Sequence, residues 1–115
     1  MGTDRSILLT FDTSAAHCAA AVIRDGTVTR QALEPMARGQ AERLIPLLEE
    51  TLSAEGLTWK DLDAIGVGVG PGNFTGIRIS VSAARGLALG LAIPAFGVST
   101  FELLLDRHAP HAEPA

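Results

Sequence analysis

Twelve residues, Val67-Gly68-Val69-Gly70-Pro71-Gly72-Asn73-Phe74-Thr75-Gly76-Ile77-Arg78, constrain this chain more than any others. They begin in a run with the apolar residues of a buried strand, 64–69, and lead into a small-residue helix over about 75–90. The corner between the two needs backbone angles that few residues allow. Pro71 fixes one φ, and Gly70 and Gly72 permit positive ones. A strand, a glycine-rich corner and a helix N-terminus together present unpaired N–H groups, which can hold an anion or a neighbouring loop.

The corner does not match the common phosphate fingerprints. A Walker loop ends in Gly-Lys-Ser/Thr, and here the order is Gly76-Ile77-Arg78. The dinucleotide pattern fails as well, because Thr75 stands where its third glycine belongs. Arg78 is the odd residue: a cation in the first helical turn opposes the helix dipole by about 0.3–1 kcal/mol, so an anion is expected opposite it. Asp12 is the intramolecular candidate, and a ligand or partner protein is the alternative. Asp12, Gly70, Gly72, Thr75 and Arg78 therefore define a structural corner that is also a candidate anion site.

Upstream, Ile7-Leu8-Leu9-Thr10-Phe11-Asp12 reads as a strand ending in an acid. Residues 13–17 turn, 18–23 return, and Asp25-Gly26 signals a tight hairpin into an alternating third strand over 27–33. A helix is expected over about 40–55, with Ala41, Leu44, Ile45, Leu48 and Leu52 on one face and Gly56 as its stop. The apolar face runs through Pro46 without a phase break, which favours one kinked helix over a shorter one. Thr58 and Asp61 sit at the capping-box offset of a short turn. In the helix after the corner, Gly76, Ser80 and Ala84 recur every fourth residue, as do Ser82, Gly86 and Gly90. One small-residue face suffices for packing on a sheet, so the second is available to another helix. A last strand over 94–98 and a helix through 101–105, capped by Ser99 or Thr100, complete the chain. Residues 1–108 are expected to form one domain and 109–115 a flexible tail or an added end.

The order βββ-α-β-α-β-α is that of one half of the actin-like ATPase architecture, which shares its topology with ribonuclease H. It predicts an α/β fold with a mixed five-stranded sheet in the order 3-2-1-4-5 and helices on both faces. A core of small aliphatic side chains follows from 47% hydrophobic but only 4% aromatic residues. A net charge of −4 argues against a stand-alone nucleic-acid binder. The lone Cys18 excludes an internal disulfide and suits a reducing cytoplasm. The longest uncharged stretch, 86–101, falls short of the ~20 apolar residues of a membrane span and is broken by Pro94 and Gly97.

With order and motifs together, the chain resembles the N-terminal domain of the bacterial TsaB family over roughly 7–105. The resemblance is carried by Phe11-Asp12-Thr13-Ser14, the stretch from Gly70 to Arg78, Arg85-Gly86-Leu87-Ala88-Leu89-Gly90 and Gly97-Val98-Ser99-Thr100. It implies a cytoplasmic, non-catalytic scaffold in tRNA threonylcarbamoyladenosine modification. Such a scaffold supports a catalytic paralogue, TsaD, together with an ATPase, TsaE, and meets tRNA only through the complex. ATP and metal are then expected on the partners, with no cofactor and no metal of this chain's own. The family was formerly described as glycoprotease-like, and its full-length members carry a second actin-like half. The resemblance implies docking through the two helices, with Leu44, Leu48, Ser82 and Gly86 as an exposed apolar face that closes into a homodimer in isolation. Two departures are visible. The catalytic paralogue's His-x-x-x-His metal pair is replaced by Thr100 and Leu104, and family members often have His where this chain has Gln40.

A hydrolase needs a nucleophile, a base and an orienting group within reach. Cys18 lies in an alanine strand, where an inert buried thiol is expected. His17 is expected at a solvated turn tip, and His108 and His111 in or beside the tail, with Pro110 spoiling any helical metal pairing. No catalytic residue is therefore assigned, Ser14 and Thr13 included, and a peptidase reading rests on family history alone. The rival reading is half of an actin-like nucleotide-dependent kinase or transferase, in which Asp12-Thr13-Ser14 would meet phosphates and metal. Against it, Asp12 has the alternatives of pairing with Arg78 or capping backbone N–H groups, and no lysine lies near the corner.

Overall fold

A computed structural model of the chain describes residues 6–69 and 74–98, with only the backbone of Phe74. Its five strands are β1 (Ile7–Asp12), β2 (His17–Arg24), β3 (Thr27–Pro35), β4 (Ala64–Gly68) and β5 (Ala95–Val98). They form one sheet in the order β3-β2-β1-β4-β5. β1, β2 and β3 are an antiparallel meander, whereas β4 runs parallel to β1 and β5 parallel to β4. This is the expected mixed sheet, with β1 central and β3 at an edge. The hairpin between β2 and β3 closes at Asp25 and Gly26 with φ of 52° and 85°, both positive, as a two-residue turn of the primed type requires.

Helix α1 (Gln40–Ala54) runs unbroken through Pro46, and Gly56 with φ of 71° lies just past its end. A short 3-10 turn, Trp59–Asp61, follows, where the Thr58 N–H donates to Asp61 Oδ2 at 2.7 Å. Helix α2 (Phe74–Leu91) joins β4 to β5. Leu9 and Phe11 of β1, Val22 of β2 and Ile65 and Val67 of β4 form the sheet's share of the core. Leu44, Leu47, Leu48 and Leu52 of α1 and Ala84 of α2 pack on them. Both described helices therefore cover the same face of the sheet. The helix expected over 101–105, the tail and the corner residues Gly70 and Gly72 lie outside the described residues.

The buried stripe of α1 is Leu44, Leu47, Leu48, Thr51 and Leu52. That corrects the expected face. Ala41 and Ile45 are exposed, while Leu44 and Leu48 are 1% and 0% accessible. Leu44 and Leu48 thus cannot belong to an exposed apolar surface of the free chain: they are the side chains by which α1 holds the sheet. Replacing Leu48 by Ala is expected to destabilise the fold by ~2–5 kcal/mol, and Ile45 by Ala much less, as read by denaturant titration.

On the outer side, α1 is tied to the edge of the sheet by charge. Arg43 donates through Nε and Nη2 to both carboxylate oxygens of Glu34, each at 2.8 Å, and through Nη1 and Nη2 to Glu50 at 2.9 and 2.8 Å. The Arg43 hydrogen bonds hold Glu34 and Glu50 below the usual carboxylate range. Glu55, at the end of α1, is lowered first by the Thr29 hydroxyl at 2.8 Å and then by Arg30 and Arg24. A carboxyl whose folded value is lowered adds stability above its unfolded value and loses it as pH falls through the folded one. Thermal midpoints are therefore expected to be level above the ordinary glutamate value of about 4.3 and to decline below it. Arg43→Gln should flatten that acid limb.

Candidate functional site

An open groove of about 510 Å³ runs between α1 and α2 on the outer side of the helical layer. Ala41 and Ile45 of α1 face Thr75, Arg78 and Ser82 of α2 across it, over a floor that includes Leu44 and Ile79. Ile45 is 37% accessible. The two small-residue faces of α2 separate as the four-residue spacing implies. Gly76, Ser80 and Ala84 are buried, whereas Ser82, Gly86 and Gly90 are exposed. Among the described residues, nothing beyond the helix's own backbone lies within 4 Å of where a Cβ would stand at Gly86 or Gly90, so no described contact requires glycine there. Leu89, beside them, is 85% accessible. Of the four residues expected to form the partner face, Ser82 and Gly86 are on the surface, whereas Leu44 and Leu48 are buried and Ile45 beside them is exposed.

The loop after β1 lies at the end of the sheet beside the N-terminus of α2. Thr13 faces α2: its N–H donates to Ser80 Oγ at 2.8 Å and its hydroxyl to the Gly76 carbonyl at 2.6 Å. Gly76 is in contact with the backbone of Thr13, and a Cβ there would collide with the Thr13 carbonyl oxygen. Asp12 faces the other side of the sheet and is 2% accessible. Its Oδ1 accepts the Ser14 N–H at 3.2 Å and the Ser14 hydroxyl at 2.6 Å, and its Oδ2 lies 2.8 Å from His17 Nε2. The bonds found on Asp12 thus come from Ser14 and His17, not from Arg78, and they include the expected capping of a backbone N–H.

His17 is a correction. It is not a solvated turn residue but the first residue of β2, 8% accessible and paired in register with Pro35. Being two residues before Ala19, which pairs with Asp12, it shares that residue's face and meets the carboxylate. The usable signal was an acid at a strand end with a histidine just across a short turn. Nothing in the periodicity of α2 pointed to Ser80 as the partner of Thr13.

The arrangement has consequences for chemistry. Ser14 and His17 are both bonded to Asp12 rather than to each other, so no nucleophile–base pair is formed. Cys18 is fully buried, 3.6 Å from the Gln40 carbonyl and 3.9 Å from Met36 Sδ. Burial, reinforced by the Glu34 charge and opposed by Arg43, pushes its thiol up, away from the reactive thiolate. Among the described residues no cluster of three His, Cys, Asp or Glu side chains is placed to hold a metal, and no helix is long and apolar enough to cross a membrane. Replacing Gly76 by Ala is expected to destabilise the chain by ~2 kcal/mol or more, because helix and loop backbones must move apart. Gly86→Ala should leave the melting temperature unchanged or raise it.

Comparison with known proteins gives concordant matches. The family profile described as "TsaD: tRNA N6-adenosine threonylcarbamoyltransferase" matches residues 33–114. The tRNA threonylcarbamoyladenosine biosynthesis protein TsaB of Escherichia coli is 40% identical over 93 residues, covering 81% of this chain and 40% of that protein. The structure of YeaZ from Pseudomonas aeruginosa superposes with a TM-score of 0.80 at 37% identity, over 89% of this chain and 47% of that one. RuvC of Thermus thermophilus, 13% identical with a TM-score of 0.52 over 92% of this chain and 71% of its own, shares the fold alone. The chain spans about half the length, or less, of the curated relatives it matches.

Proposed function

Since the chain belongs to the TsaB family of tRNA threonylcarbamoyladenosine biosynthesis proteins, we propose that it serves in that modification as a non-catalytic scaffold. Its proposed partner is a TsaD-like paralogue, received in the groove between α1 and α2, with a TsaE-like ATPase completing the set. tRNA is met through the complex, in the cytoplasm. In isolation the same face closes on a second copy. The observation that carries this reading is the exposed face of α2. Ser82, Gly86 and Gly90 leave the helix backbone open beside an apolar groove, which is the surface a second helix needs for close approach. The buried thiol of Cys18 and the commitment of Ser14 and His17 to Asp12 support a role without catalysis by this chain.

Gly86→Leu tests the reading, because Gly86 is exposed and a Cβ there meets no described neighbour, whereas a docked helix would be pushed away. The variant is expected to keep the parent's circular dichroism and lose both dimerisation, read by analytical ultracentrifugation, and binding of the TsaD-like paralogue. A folded variant that retains both associations would put the interface elsewhere. Cys18→Ala should leave the activity of a reconstituted complex within a few-fold of the parent. A loss of several orders of magnitude with the fold intact would make this chain a catalyst.

A further inference from the structure

In actin-like halves, the acid that ends the first strand is the group expected to meet a phosphate-bound divalent cation. The side chains around Asp12 do not fit that role. We infer that His17 and Ser14 close Asp12 into an internal latch, so that the loop after β1 holds α2 in place instead of holding a cation. The inference is independent of the partner reading.

Three observations carry it. First, most of the carboxylate's acceptor positions are already taken. A carboxylate offers about four acceptor positions; the Ser14 N–H, the Ser14 hydroxyl and His17 fill three of them. Since a carboxylate only accepts, the His17 Nε2 carries the proton and donates to Oδ2. Second, the approach is closed. Asp12 is 2% accessible, and its carboxyl presses on Gly68 of β4 so tightly that a Cβ there would collide with Oδ1. A magnesium ion keeps several waters and near-octahedral geometry, which needs open space on the metal side of the carboxylate. Third, the neighbouring hydroxyl is turned away. Thr13 is bonded to Gly76 and Ser80 of α2, so its Oγ1 serves the helix.

The latch has two ends on adjacent residues. Asp12 fixes the turn to the start of β2 through His17, and Thr13 fixes the same turn to the N-terminus of α2. His17 is the closing member, since among the described residues it alone reaches Asp12 from the far side of the turn. A glutamine can present an amide N–H close to where the imidazole Nε2–H stands, whereas alanine cannot.

Two measurements on the full chain decide the matter. Mn²⁺ is titrated into the parent and Asp12→Asn with the free-ion signal followed by electron paramagnetic resonance. The two proteins are expected to give the same, non-saturating uptake; saturable uptake by the parent that Asp12→Asn abolishes would overturn the inference. If Asp12→Asn does not fold, the second measurement stands alone. His17→Ala is expected to melt several degrees below the parent and to lose amide-exchange protection at Thr13, while His17→Gln keeps both close to the parent. His17→Ala melting with the parent, at unchanged protection of Thr13, would show that no latch exists.

Discussion

The contact on which the rest depends is the meeting of two backbones, that of Gly76 in the first turn of α2 and that of Thr13 after β1. Any Cβ at position 76 would overlap the Thr13 carbonyl oxygen, so the approach exists only with glycine. Once made, it is pinned by the Thr13 N–H on Ser80 Oγ and the Thr13 hydroxyl on the Gly76 carbonyl. Ser80 and Ala84 then continue down the same side of α2, both buried, and keep the helix low over β1 and β4. A larger residue at either position would lift α2 away from the core it covers.

That closeness suits a core poor in aromatic residues. Towards the helices β2 contributes Cys18, Ala20 and Val22, and α2 contributes Ala84, so layers must come close for atoms to touch at all. Dispersion contacts fall away within about an ångström of extra separation, and a sheet of alanines keeps them only under tightly seated helices. The long side chains are concentrated on α1, where Leu44, Leu47, Leu48 and Leu52 fill the space above β2.

Much of this was legible in the sequence, and the exceptions have physical reasons. Strand order and direction followed from Asp25-Gly26, which demands a hairpin, and from the helical crossovers on either side of β4, which demand parallel neighbours. The face of α1 was misplaced because residues 41, 44, 45, 48 and 52 and residues 44, 47, 48, 51 and 52 both have helical spacing. Periodicity alone does not say which of two overlapping stripes meets the sheet. Leu44, Leu48 and Leu52 belong to both, and only packing separates them from Ile45. The Asp12–His17 bond was hidden for a different reason. It depends on register across β1 and β2, where a one-residue shift would turn His17 to the other face.

The outer face of α2 poses the question that packing within the chain does not answer. Glycine in a helix interior costs about 1 kcal/mol relative to alanine, and no contact among the described residues recovers that at Gly86. At Gly86, well inside the helix, that is ~1 kcal/mol, a noticeable share of the margin of a small domain. Gly76, on the inner face, has the Thr13 backbone to justify it; the outer pair has no such neighbour among the described residues. The scaffold proposal supplies one, since a partner helix crossing at Gly86 would gain backbone contact that alanine and larger residues progressively deny. On that view the two faces of α2 obey one rule. The inner glycine admits a loop of the same chain, and the outer ones admit a helix of another.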